Sequence, residues 1–92
     1  MAVEVRVTAV LQRLTGGKKT VPGEGNNVEE LLRNLDDNFP GFMTQVKGAD
    51  GNLHRFVNIY LNDEDIRYLD KLDTPLKSGD VVSILPALAG GA

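Results

Sequence analysis

The residues of this chain best suited to take part in chemistry lie at its end. Leu88-Ala89-Gly90-Gly91-Ala92 follows directly on an apolar, strand-like run, Val81-Val82-Ser83-Ile84-Leu85-Pro86. Two adjacent glycines lack Cβ atoms, so the backbone there reaches almost any φ/ψ and fits a channel too narrow for larger residues. Taken alone, the same tail also reads as an idle terminus, because chain ends are commonly small and loosely held. The remaining residues bear on the choice. There is no cysteine, which removes disulfides, thiolate metal sites, iron–sulfur clusters and a thiol nucleophile. With one histidine, His54, the chain offers no sensible nucleophile–base pair. No glycine-rich loop ends in Lys-Ser or Lys-Thr, so no phosphate cradle is present. These residues suit a substrate of another protein's chemistry, not a catalyst.

Length and composition set the frame for such a tail. At 92 residues the chain is one small domain that buries roughly 60–65% of its unfolded surface. A hydrophobic fraction of 41% and a charged fraction of 25% are ordinary for a globular domain. The net charge of −3 and scattered basic residues argue against a nucleic-acid module, which needs dense Lys/Arg contacts to phosphate. No stretch approaches the length of a membrane span. The opening Met1-Ala2-Val3-Glu4-Val5-Arg6 has an acid where a signal peptide carries basic and then apolar residues, so a cytoplasmic location is expected.

The elements that must carry the tail follow from periodicity. Residues 3–11 alternate at Val3, Val5 and Val7 and predict a strand. Thr15-Gly16-Gly17-Lys18 supplies a turn, and Lys19-Thr20-Val21 returns as a second strand, closing a hairpin. Pro22-Gly23-Glu24-Gly25 is expected to break the pattern. Val28, Leu31, Leu32 and Leu35 then form one helical stripe, extended by Phe39 and stopped by Pro40-Gly41. Asn27 with Glu30 resembles a capping box, and Glu29 and Glu30 favour the positive end of the helix dipole. After a tight turn at Asp50-Gly51, residues 54–62 predict a strand with Val57, Ile59 and Leu61 on one face. Phe56, Asn58, Tyr60 and Asn62 share the other face. A polar turn at 62–65, a short strand at Ile66-Arg67-Tyr68, a turn at Ser78-Gly79-Asp80 and a final strand over 81–86 complete the order. One helix among these strands suggests an α+β fold with a mixed sheet over one helix face. With the last strand beside the first, this is a β-grasp (ubiquitin-like) architecture. The expected division is a domain over 1–86 and a flexible diglycine tail over 87–92.

At Leu53-His54-Arg55-Phe56-Val57-Asn58-Ile59-Tyr60-Leu61-Asn62-Asp63-Glu64-Asp65-Ile66-Arg67 the chain resembles the ubiquitin-like sulfur carriers. That family includes molybdopterin-synthase small subunits and thiamine-pathway carriers, and the similarity is greatest to its actinobacterial cysteine-biosynthesis branch. The Gly79-Asp80 turn, the Val82–Ala87 stretch and Ala89-Gly90-Gly91 match as well. The resemblance implies a carrier that binds no cofactor itself and whose terminal glycine, Gly91, is the chemical site. An activating enzyme of the ubiquitin-activating type would adenylate that carboxylate with MgATP. Sulfur would then replace AMP, giving a thiocarboxylate that a sulfur-accepting biosynthetic enzyme consumes. The resemblance favours cysteine synthesis as the recipient pathway and leaves that of a sulfur-containing secondary metabolite open. A carboxylate is a poor electrophile, and its activation needs Mg²⁺, triphosphate and oriented donors, which this chain does not supply. Residues 87–91, if extended, span roughly 17 Å at about 3.3–3.6 Å per residue, enough to place Gly91 in another protein's pocket with Leu88, Ala89 and Gly90 leading in. Ala92 departs from the family pattern: it holds Gly91 in an amide, so a maturing peptidase, a zinc metalloprotease of the deubiquitinase-like type, is expected to remove it.

Other candidates carry weaker chemistry. His54, alone beside Arg55, reads as a surface or interface side chain before a catalyst or ligand. Asp63-Glu64-Asp65 lacks the spacing of an EF-hand loop and reads as a solvated turn, so no metal site is expected. Arg33, Asp36 and Asp37 are expected on a solvated helix face. Phe56, Asn58 and Tyr60, with Leu85 and Leu88, form a partner-binding apolar patch unless another segment covers them. Three functions remain open: a sulfur carrier, a protein modifier joined through Gly91 to lysines of other proteins, and a non-covalent adaptor with an idle tail.

Overall fold

The computed structural model describes residues 2–47 and 57–86. Strand β1 (Ala2–Val7) alternates as the sequence predicts, with Val3, Val5 and Val7 buried and the residues between them exposed. The expected continuation of this strand to Leu11 is not observed: residues Ala9–Gln12 form a short helix, α1. Val7 is the last β1 residue with a partner, Ile84, on the neighbouring strand. A longer strand would carry Leu11 past the core, whereas one helical turn folds it back to full burial. Leu11 and Gln12 N–H groups both donate to Thr8 O at 3.0 Å, closing that turn.

Strand β2 (Thr20–Glu24) contains the Pro22-Gly23 pair expected to interrupt it. Its position explains the tolerance. Val7 N donates to Lys19 O at 2.9 Å, so the odd-numbered residues of β2 bond inward to β1 and the nitrogen of Pro22 falls on the open edge. Gly23 is needed for a different reason. A Cβ there would lie 2.5 Å from Leu31 Cδ1, so its absence lets the main helix pack close to the sheet.

That helix, α2 (Val28–Asn38), begins as expected. Asn27 Oδ1 accepts from Glu30 N at 2.8 Å, and Glu30 Oε1 accepts in return from Asn26 N at 2.9 Å, satisfying two amide groups at the helix start. Val28, Leu31, Leu32 and Leu35 are fully buried. Phe39 is half-buried against the same core, and Pro40-Gly41 ends the helix with Gly41 at φ 97°. A five-residue helix not evident from the sequence, α3 (Phe42–Val46), follows and buries Phe42 and Val46. It also corrects the expected role of Asp36, which is half-buried and accepts from Met43 N at 2.9 Å, joining α2 to α3. Arg33 and Asp37 are exposed as expected. Lys47 reaches back to both Glu29 oxygens at 2.9 and 3.1 Å.

Strand β3 (Val57–Leu61) buries Val57 and Ile59 and half-buries Leu61, with Asn58 and Tyr60 on the opposite face. After the turn come a two-residue strand, β4 (Glu64–Asp65), and a 3-10 turn over Ile66–Tyr68 where a short strand was expected. Only Ile66 of those three residues has a core to enter, and Asp65 caps the turn by accepting from Arg67 N at 2.8 Å. A further 3-10 turn, Lys71–Asp73, leads to the start of α2, where Val28 N donates to Thr74 O at 3.1 Å. Strand β5 (Val81–Pro86) closes the fold. The described strands form one sheet in the order β2-β1-β5-β3-β4. The first and last strands pair as expected, in parallel, and they occupy the middle of the sheet. Among the described residues, no helix is long and apolar enough to cross a membrane.

Candidate functional site

The structural link to the expected chemical site is β5. It is hydrogen-bonded on both sides, parallel to β1 from Val81 to Ile84 and antiparallel to β3 from Val82 to Pro86. Its start is clasped by Asn62, whose N–H donates to Val81 O at 2.8 Å and whose Oδ1 accepts from Val81 N at 2.9 Å. Asn62 adopts φ 50°, a left-handed conformation that asparagine tolerates better than most residues. The chain therefore reaches Pro86 from a strand fixed at its origin and along both edges. Gly91, with Leu88, Ala89, Gly90 and Ala92, lies outside the described residues, as do Phe56 and His54.

The expected partner-binding face is partly assembled. Asn58 stands opposite Leu85, and Tyr60 opposite Ser83, so Asn58, Tyr60 and Leu85 share the sheet face away from α2; all three are half-buried. A polar group that sequence reasoning missed crosses this face. Arg67 Nη2 donates to Asn58 Oδ1 and to Asp65 Oδ2 at 3.1 Å. The hydrogen bond from the Arg67 side chain, then that from its backbone N–H, holds the Asp65 carboxyl below the usual aspartate range; the same side-chain bond raises the Arg67 guanidinium. The signal was local, an Asp two residues before an Arg at a turn. Asp63 and Glu64 are exposed, and no cluster of three metal-ligating side chains exists among the described residues. Tyr68, 84% exposed, is the large apolar side chain most open to solvent among those described.

Residues 5–91 match the model of the ThiS family. The chain belongs to that family. It is 42% identical over 93 residues to the sulfur carrier protein CysO of Mycobacterium tuberculosis, covering 99% of this chain and all of the relative. A chain of the Amycolatopsis orientalis BexX/CysO complex superimposes with a TM-score of 0.89 at 38% identity, covering 97% of this chain and 99% of that one. The small archaeal modifier protein 3 of Haloferax volcanii is 30% identical over 93 residues, covering 99% of this chain and all of that protein. The fold is thus the β-grasp of this family, a mixed sheet against one main helix.

Proposed function

We propose that this ThiS-family protein is a sulfur carrier, a cosubstrate whose Gly91 carboxylate is the reacting group. The observation that carries the reading is the extent of the family match: it runs through Gly90-Gly91 and stops before Ala92, in a chain 42% identical along its length to a sulfur carrier. Peptide-bond hydrolysis by a metalloprotease removes Ala92 and frees the Gly91 carboxylate. A carboxylate oxygen attacks the α-phosphorus of MgATP in an activating enzyme, forming an acyl adenylate and releasing pyrophosphate. A sulfur nucleophile then displaces AMP, leaving a C-terminal thiocarboxylate. A sulfur-accepting biosynthetic enzyme takes the sulfur, hydrolysis of the acyl bond by water returns the carboxylate, and the similarity to the BexX/CysO chain supports a partner of that kind. The sheet face at Asn58, Tyr60 and Leu85 serves such partners, and the partner-binding role expected of Phe56 and Leu88 falls on residues outside the described ones. Incubating the chain trimmed to Gly91 with an activating enzyme, MgATP and sulfide should give a mass gain equal to sulfur replacing oxygen. An unchanged mass with an enzyme active on its own carrier would refute the reading.

The likeness to an archaeal modifier protein favours a second reading, attack on the same adenylate or a derived thioester by a lysine of another protein. That reading expects a ladder of isopeptide conjugates in host extract in place of a free thiocarboxylate.

A further inference from the structure

Charge is unevenly divided between the two ends of the sheet. β1 and β5 run in parallel with Val7 beside Ile84, and Val7 also bonds to Lys19. The end at which the chain leaves β5 toward residue 87 is therefore the end that carries the connection from Thr8 to Lys19. From Val5 to Gly23 the sequence holds four basic residues, Arg6, Arg13, Lys18 and Lys19, and no acid. Glu4 pairs with Arg6 at 2.8 Å. Arg13, Lys18 and Lys19 are exposed and form no ion pair among the described residues. The opposite end holds more acids than bases: Glu24 ends β2, Asp63 and Glu64 follow β3, and Asp80 precedes β5, with Lys77 beside Asp80. The net charge of −3 conceals this separation.

The basic connection is also held in one shape. Thr15 is 2% exposed, and its hydroxyl donates to Lys18 O at 2.8 Å. Gly17 N donates to Gln12 O at 2.7 Å, and Gly16 and Gly17 take φ 70° and 86°, a left-handed turn that most side chains would strain. A buried hydroxyl spent on loop geometry fixes where the backbone of the two lysines sits. Lys19 is two strands from Ile84, roughly 10 Å at about 4.8 Å per strand. That is comparable to the Debye length of about 8–10 Å near physiological salt, so these charges act on whatever approaches the base of the tail.

We infer that Arg13, Lys18 and Lys19 form a docking collar for the activating enzyme, whose tail entrance is rimmed by Asp and Glu side chains. The inference rests on residues 87–91 being the working tail. Opposite charges placed around the entrance act chiefly on the rate of encounter, orienting the carrier tail-first, and lose force as salt rises.

The test is the association rate constant of the full chain with the host's activating enzyme, by stopped flow at low and high salt. Wild type is compared with Lys18→Glu/Lys19→Glu and with Lys71→Glu/Lys77→Glu, which makes the same charge change between β4 and β5. The collar predicts association slowed about tenfold or more at low salt by the first pair, little effect of the second, and convergence at high salt. Lys18→Gln/Lys19→Gln, a milder change, should fall between. Equal rates at low salt, equal slowing by the two reversals, or no binding of the wild type would overturn the collar. Salt-sensitive binding of the full chain, with no sulfur gained by the chain trimmed to Gly91, would instead leave the collar standing and refute the carrier reading.

Discussion

Gly25→Ala isolates the close approach of the β2–α2 connection to the helix it leads into. A Cβ built on Gly25 lies 2.5 Å from Leu31 N, 2.9 Å from Glu30 C and 3.0 Å from Leu31 Cα. All three are backbone atoms of α2, so relief requires moving the helix or the turn. At Gly23 the nearest atom, also at 2.5 Å, is Leu31 Cδ1, the end of a side chain that can rotate. Overpacking of this kind costs about 1–3 kcal/mol, and the backbone clash should reach or exceed the upper end of that range, with Gly23→Ala nearer the lower end. With about 4–8 °C of Tm per kcal/mol in a domain of this size, Gly25→Ala should melt at least about 12 °C below wild type and Gly23→Ala roughly 4–10 °C below. Circular dichroism melts, with urea titration to compare m-values, read both. A Gly25→Ala loss under about 1 kcal/mol, or smaller than that of Gly23→Ala, would show that the connection does not rest on the helix backbone as described.

Two further substitutions report on other parts of the frame. Asn27→Ala removes the side chain that accepts from Glu30 N and should cost about 1 kcal/mol, read as a lower urea midpoint with m unchanged. Asp65→Asn should lower Tm slightly at neutral pH. Because the folded Asp65 carboxyl titrates below its unfolded value, its stabilising contribution is present above about pH 4 and fades as pH falls through the lower folded value. The Tm difference between wild type and Asp65→Asn should therefore vanish in strong acid, and a difference that persists or grows there would contradict the Asp65–Arg67 assignment.

Much of the scaffold was legible because its patterns match one period for long enough. The stripe Val28, Leu31, Leu32, Leu35 spans two turns and fixed α2, and the alternation Val3, Val5, Val7 fixed β1. The misread segments have local physical causes. Ala9-Val10-Leu11 is apolar without a diagnostic period, so only the end of the neighbouring strand shows that the chain must turn at Thr8. Pro22 and Gly23 usually punctuate, and they sit within a strand here because β2 is an edge strand and Leu31 needs the space over Gly23. The helix from Phe42 to Val46 is too short to show a stripe, and Asp36 belongs to it through a contact seven residues away. Of the candidate site, Gly90-Gly91 is a reading of the sequence alone and lies outside the described residues. The basic collar was not, because Arg13, Lys18 and Lys19 are placed at the tail-bearing end by the parallel pairing of β1 with β5.

The central claim is that a fixed scaffold presents Gly91 as an acyl handle for sulfur. An intact-mass spectrum of the protein purified from its own host tests it most directly, since one measurement reads both the terminal residue and its chemical state. The account predicts a population ending at Gly91 with one oxygen replaced by sulfur. Protein that uniformly retains Ala92, with no sulfur gained while the sulfur-consuming pathway is running, would contradict it.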